Sequence, residues 1–259
     1  MTKYRSQDLR VKIAKIVNGE DQAHTKAQHP TIFHELLEGN LPPQEKSVGR
    51  LADEAQLMIG AGLETTAWAL TTLSYHLISN PAILKKLRAE LEEAIPDPAA
   101  KLESIYLEKL PYLSACIQEG IRLSYGVSSR NPRISPDKPT KYRDWVIPAG
   151  TPVSMTIIDV HHDEHIFKNS RSFIPERWLD SPKTEDGENL GRYFVAFGKG
   201  ARSCLGIKYV CSFKSTNHAQ PRTDLHMKVW LMRNFTWPLP LYSVDLHSSC
   251  MILISLISS

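Results

Sequence analysis

Residues 197–206 read Phe-Gly-Lys-Gly-Ala-Arg-Ser-Cys-Leu-Gly: a cysteine at 204 set among glycines at 198, 200 and 206, with Lys199 and Arg202 just before it. Glycine takes up left-handed and tight-turn geometry without the clash a Cβ brings, so several N–H groups can converge on one sulfur. Convergent donors and nearby cations favour the thiolate, which is the nucleophilic and metal-ligating form of cysteine. Taken alone, a cysteine in a turn reads first as an inert, buried small hydrophobe. The whole ten-residue pattern, and what lies upstream of it, decides between the two.

Working back from the loop, Phe173–Trp178 reads FIPERW and offers Arg177 within a proline- and aromatic-rich coil running from Phe167 to Arg202. Further back, QEGIRL sets Glu119 and Arg122 three apart, on one face of a helix expected from Leu113 to Leu123, where a guanidinium fork can grip a carboxylate. Such pairs are common on surfaces; a buried three-member network is costly unless every member is satisfied, so it specifies geometry more than it adds stability. Between helix and coil, SRNPRISP and DWVIPAGTPVSMTIIDV carry prolines and β-branched residues and read as short strands and turns. The following HHDEH sets His161 and His165 four apart, a spacing open to metal binding, with His162 and Asp163 between them.

From Ser47 to Ser79 there is no proline, and LADEAQLMIGAGLETTAWALTTLSYHLI is apolar on nearly all sides, as expected of a long helix through the middle of a protein. AGLETT, residues 61–66, places Glu64 and Thr65 in mid-helix, where they are expected to be buried or to line a cavity. The Thr65 hydroxyl can bond back to the Ala61 carbonyl, and Gly60 and Gly62 leave room for a local opening. An acid beside a hydroxyl forms a proton relay. Reading GAGLET as a dinucleotide-binding turn fails, since no strand precedes it and the third glycine is missing. Asn80 is expected to cap the next helix, with Pro81 at its first position and AILKKLRAELEEAI as a surface helix. Near the start, Leu9, Val11, Ile13, Ala14 and Ile16 give helical spacing over residues 6–17, and the polar GEDQAHTKAQHPT after them reads as a surface loop.

The loop at 197–206 resembles the cysteine loop of the cytochrome P450 family, Phe-x-x-Gly-x-Arg-x-Cys-x-Gly, and matches it at Phe197, Gly200, Arg202, Cys204 and Gly206. AGLETT resembles the oxygen-activating motif of the same family, and Glu119, Arg122 and Arg177 resemble its Glu-Arg-Arg triad. Their order agrees too, with 55 residues from Glu64 to Glu119, 58 from Glu119 to Arg177 and 27 from Arg177 to Cys204. The resemblance implies a fold that is mainly α with a small β component, the C-terminal part of the P450 fold, with the N-terminal half missing from this sequence. It implies haem, with Cys204 as the axial ligand of the iron; a thiolate there donates electron density that favours O–O cleavage. Arg202, and Arg133 in SRNPR, would meet haem propionates, Glu64 and Thr65 would deliver protons, and the histidine of HHDEH would be structural. The implied activity is a monooxygenase inserting one oxygen atom from dioxygen into a small apolar substrate, with electrons from NADPH through a cytochrome P450 reductase. GVSSRNPR and DVHHDEHIF are similar to fungal secondary-metabolism P450s, the trichodiene oxygenase type among them. Two other readings compete: a truncated, non-catalytic P450 remnant, with or without haem, and a P450-like isomerase or peroxygenase, against which the intact Glu64 and Thr65 stand.

Composition sets the outer bounds. At 259 residues, 42% hydrophobic and 23% charged, the chain suits one large globular domain or two small ones. Lys and Arg total 31 against 28 Asp and Glu, a net +3 spread without a basic stripe, so nucleic acid is not an expected partner. Cys116, Cys204, Cys211 and Cys250 stand far apart, which points away from a disulfide framework and to a reducing compartment. The first residues have no apolar core, and MILISLI near the end is too short to span a bilayer. Members of the family it resembles are anchored in the endoplasmic reticulum membrane; this sequence, without an anchor, is expected to be cytoplasmic or peripheral. Residues 1–208 make up the haem-thiolate region and 209–259 a divergent tail. There the family expects CLGxxLAxxEL and the sequence reads CLGIKYVCSFKSTNHAQPRTDLHM, for which a retained intron or gene-model error between Lys208 and Ala219 is the expected cause.

Overall fold

The structure, a computed structural model, describes residues 2–21, 32–96, 106–107 and 109–207. It is mainly helical with two small sheets, and it divides into two compact units that part between Glu64 and Thr65, within one continuous helix.

In the first unit, α1 (Thr2–Val17), α2 (Ile32–Glu38) and the first half of α3 (Val48–Ser79) share an apolar cluster. Ile13, Leu51, Ala52 and Ala55 are buried at its centre, with Leu9, Ile16, Phe33 and Leu36 packed against them. The three- and four-residue spacings put these side chains on one stripe of each helix. α3 is entered through a one-turn helix, Pro43–Lys46, whose Lys46 ammonium donates to the Leu37 carbonyl at 2.6 Å. Most of the polar stretch after α1, residues 22–31, lies outside the described residues.

The second unit is built on the rest of α3, α4 (Pro81–Ala94) and α5 (Pro111–Ser124). Leu73, Leu77, Leu87, Leu91 and Leu113 are wholly buried, each stabilising by about 1.5–3 kcal/mol. α3 and α5 approach so closely that a Cβ on Gly120 would lie 2.9 Å from the Leu73 Cβ, which leaves glycine as the residue that fits. α4 supplies the cap of α5: the Glu90 carboxylate accepts from the N–H of Tyr112 and of Leu113, both at 2.7 Å. Two of the donors that a helix start leaves without an intrahelical partner are thus met by a negative charge at the positive end of the dipole.

Three expectations change. α3 is not enclosed on all sides: Trp68, Tyr75 and Ile78 are exposed, and so are Glu64 and Thr65. An apolar composition does not say which side packs, and Glu64 precedes Leu73 by nine residues, two and a half turns, so it points away from the face that Leu70, Leu73 and Leu77 bury. Asn80 sits at the cap position of α4, yet its side-chain amide donates to the His76 carbonyl at 2.7 Å and closes the end of α3 instead. The TIIDV segment, expected among short strands and turns, leads into α6 (Ile157–His161). A reciprocal capping box starts it: the Thr156 hydroxyl accepts from the Asp159 N–H and the Asp159 carboxylate accepts from the Thr156 N–H.

The expected short strands are β1 (Arg133–Ile134), β2 (Thr140–Tyr142), β3 (Trp145–Ile147) and β4 (Pro152–Val153). β2 and β3 form an antiparallel hairpin, with Tyr142 opposite Trp145, and β1 pairs antiparallel with β4 across it in sequence. The coil beyond Phe167 is punctuated by one-turn helices at Pro175–Trp178, Leu190–Tyr193 and Gly200–Arg202. Cys116 is buried and Cys204 exposed, both free. Cys211, Cys250, the divergent tail and the candidate intron lie outside the described residues. Among the described residues, no helix is long and apolar enough to cross a membrane.

Candidate functional site

Glu119 and Arg122 are not a solvated pair: both are 0% exposed. One Glu119 oxygen, Oε1, accepts from Arg122 Nη2 at 2.9 Å, Arg177 Nε at 3.0 Å and the Ile174 N–H at 3.1 Å. Oε2 accepts from Arg122 Nε at 2.9 Å and Trp178 Nε1 at 2.8 Å. The two arginines outweigh the one carboxylate in charge, and backbone carbonyls take up the remaining donors. Arg122 Nη1 donates to His161 O at 2.7 Å and Arg177 Nη2 to Lys168 O at 3.0 Å, while the Arg122 guanidinium lies 5.1 Å from the centre of the Phe167 ring. The network therefore gathers α5, the end of α6 and the one-turn helix Pro175–Trp178 around one buried carboxylate. Sequence reading found Glu119, Arg122 and Arg177 and missed Trp178, which stands beside Arg177 in PERW as the aromatic with an N–H to give.

His161 carries the network toward the cysteine, and His162 braces the turn beside it. His161 is 0% exposed; its Nδ1 lies 3.0 Å from Arg122 O and its Nε2 accepts the Val195 N–H at 3.1 Å. Burial holds its pKa down to about 4. The His162 ring sits between the Tyr125 hydroxyl, 2.7 Å from Nε2, and Ser170 Oγ, 3.1 Å from Nδ1, and burial lowers its pKa as well. With both rings so engaged, HHDEH serves as a structural clamp, and among the described residues no group of three His, Cys, Asp or Glu side chains is placed to hold a metal ion.

The cysteine loop stands on this base. Val195 and Phe197 are half-buried; the Gly198 N–H donates to Val195 O at 2.8 Å, and the Cys204 N–H donates to Phe197 O at 2.8 Å, closing the loop. Gly198 and Gly200 have φ of +68° and +76°, the left-handed region that glycine takes up at little cost. A third glycine fixes where the loop rests: a Cβ on Gly126, just after α5, would lie 2.8 Å from Ala196 O. The loop thus presents Cys204 outward, with Arg202 exposed and Leu205 77% exposed beside it, while Lys199 turns back to donate to Arg192 O. Arg133 is exposed on β1, its guanidinium against the carbonyls of Asn131 and Pro132, and borders a groove of about 420 Å³ that includes Thr151, Val153 and Met155. Glu64 and Thr65 are exposed on α3, in which the back-bond expected of Thr65 has counterparts from Thr71 Oγ1 to Ala67 O at 2.9 Å and from Ser74 Oγ to Leu70 O at 2.7 Å.

Residues 5–208 match the family model of cytochrome P450. The chain belongs to the cytochrome P450 family. It is 52% identical over 250 residues to the cytochrome P450 monooxygenase sdnE of Sordaria araneosa, a match that covers 92% of this chain and 46% of that protein. It is 44% identical to the cytochrome P450 monooxygenase astB of Talaromyces wortmannii, over 78% of this chain and 41% of that one. It is 46% identical to the N-acetyltryptophan 6-hydroxylase ivoC of Emericella nidulans, over 68% of this chain and 35% of that one. The chain therefore spans less than half the length of these P450 relatives.

The family implies a haem, and the chemistry of the loop can be set against that. A P450 haem needs one soft ligand on an accessible edge, apolar surface beside it and cations for its carboxylates. Cys204 supplies an exposed sulfur, Leu205 and Phe197 apolar flanks, and Arg202 a nearby exposed cation. A Cβ at Gly206 would lie 3.5 Å from Cys204 Sγ, in contact with the side of the sulfur that the bare glycine leaves open. These residues fit the group.

Proposed function

We propose that this chain is the haem-thiolate part of a monooxygenase that inserts one oxygen atom from dioxygen into a small apolar substrate in fungal secondary metabolism. The observation that carries the reading is the exposed Cys204 on a glycine loop whose foot is tied to the buried Glu119 network. A relative named as a hydroxylase supports oxygen insertion as the reaction. Cys204 Sγ would hold the iron, Arg202 and Arg133 would pair with the propionates, and Phe197, Gly200 and Gly206 shape the loop. Glu119, Arg122 and Arg177 lock the coil that carries it. Bound haem supplies the activation of dioxygen, with electrons from NADPH through a P450 reductase. Exposure lets the Glu64 carboxylate exchange protons with water, and its neighbour Thr65 offers the hydroxyl that passes them on. Residues 209–259 would be a divergent tail with partial resemblance to the family, displaced by a retained intron or a gene-model error, which transcript sequencing across Lys208–Ala219 checks: a spliced message lacking the insert is expected, and an unbroken message with abundant protein rejects it.

The functional test is reconstitution of the full chain with haem. The expected result is a reduced, carbon monoxide-bound Soret band at the thiolate position, followed, when reductase and NADPH are supplied, by oxygenated product. Thr65→Ala and Glu64→Gln should then lower the rate of product formation by about a hundredfold, the lower range for losing a positioned proton donor, with the spectrum unchanged. A folded chain that takes up no haem instead supports a non-catalytic remnant.

A further inference from the structure

We propose that His161 is a positioning residue for the haem-ligand loop, acting in one fixed tautomer to hold the foot of that loop on the carbonyl end of α5. The inference rests on the functional reading above for its purpose, though not for its geometry. A carbonyl oxygen only accepts, so the contact to Arg122 O requires hydrogen on Nδ1; a peptide N–H only donates, so the contact from Val195 requires a lone pair on Nε2. Those two demands leave the neutral, Nδ1-protonated ring. Its partners are far apart in sequence and each has its own reason to need it. Arg122 O belongs to the last turn of α5, whose carbonyls lack intrahelical donors. There side chains fill in: Ser124 Oγ donates to Ile121 O, Trp68 Nε1 to Ser124 O, and His161 to Arg122 O. The Val195 N–H opens the segment in which Val195 O takes the Gly198 N–H and Phe197 O takes the Cys204 N–H. His161 is also fixed from its own backbone, since its carbonyl accepts from Arg122 Nη1, and from its ring face, which stacks on Phe194 at 17°.

Burial is the largest influence on His161 and favours the neutral ring, outweighing the Arg122 carbonyl, whose hydrogen bond favours the charged one. Arg122 opposes a positive imidazolium, His162 adds to that opposition, and the Glu119 carboxylate that would favour it is already taken by five donors. A second proton would set an N–H on Nε2 against the Val195 N–H and release the loop. Asparagine or glutamine offers one donor and one acceptor at similar separation, whereas phenylalanine keeps the ring and its stacking and loses both bonds.

The test uses the full chain with His161→Phe and His161→Gln, reading amide exchange in the peptide Phe194–Gly198 and, separately, the Soret band of the reduced, carbon monoxide-bound, haem-loaded chain. Exchange at the Val195 amide is expected to quicken about tenfold or more in His161→Phe, the effect of one buried hydrogen bond, and to return most of the way in His161→Gln. The thiolate band should fall in the same order. Exchange in a folded His161→Phe within twofold of the unaltered chain overturns the proposal. Should His161→Phe not fold, ring nitrogen shifts in the unaltered protein decide: an Nδ1–H tautomer upholds it, and an Nε2–H tautomer or a charged ring overturns it. Because exchange and tautomer need no haem, a chain that binds none defeats the functional reading while leaving this one to be judged by itself.

Discussion

Glu119 is wholly buried, and its two oxygens meet five donors drawn from α5, the coil and the one-turn helix after it. Cys204 is exposed, and what fixes it is backbone: its own N–H on Phe197 O, and glycines at 198 and 200 with positive φ. The first site spends every hydrogen bond inward and so determines where the coil runs. The second leaves its cysteine exposed, as the proposed haem ligand requires. Between them lie His161, bonded to Arg122 O and to Val195, and Gly126, against Ala196 O. Burial and exposure are thus placed on separate residues, joined by contacts that belong to neither motif.

The contrast would break most visibly at Glu119. Glu119→Ala leaves Arg122 buried without its carboxylate, and the loss of about 3–5 kcal/mol is a large part of what a domain has. Chemical denaturation reads it; a cost under about 1 kcal/mol would mean the network does not anchor the fold.

Acid is the next largest lever. His161 has a folded pKa of about 4 against an ordinary value of 6.5, so between those values the unfolded chain binds the proton that the folded chain refuses. Stability from this group is complete above about pH 6.5, falls as pH drops, and is gone below about pH 4, amounting to about 3 kcal/mol. Denaturation midpoints measured across that window should decline in the unaltered chain and decline less in His161→Gln; equal slopes would remove His161 from the account.

Trp178→Phe sharpens the comparison from within the network. It keeps the ring packed near Phe167 and Phe194 and removes one donor to Glu119, for a loss of about 1.5–3 kcal/mol by denaturation. Smallest of all is Cys204→Ser. An exposed side chain outside the network should change unfolding free energy by less than about 0.5 kcal/mol, and a larger loss would show the sulfur to be structural after all.

Much of this was legible because its physics is local or its pattern long. A proline-free run gave α3 almost to the residue, Val48–Ser79 against an expected 47–79, and three-residue spacing put Glu119 and Arg122 on one face. The outward Glu64 was not legible, since an evenly apolar helix carries no sign of which stripe packs. α6 was hidden by its β-branched residues, although the Thr156-x-x-Asp159 capping box was present to be read. Trp178, His161, Gly120 and Gly126 act across dozens of residues, through contacts to Glu119, Val195, Leu73 and Ala196 O that spacing along the chain cannot disclose.

The central claim is that Cys204 is the haem ligand on a loop held by other residues. It is tested most directly by loading the full chain and its Cys204→Ser variant with haem and recording the reduced, carbon monoxide-bound spectrum beside the unfolding curve. The account predicts a thiolate-position Soret band that disappears in Cys204→Ser while the unfolding curves of the two haem-free chains coincide. A thiolate band that survives in Cys204→Ser would contradict it.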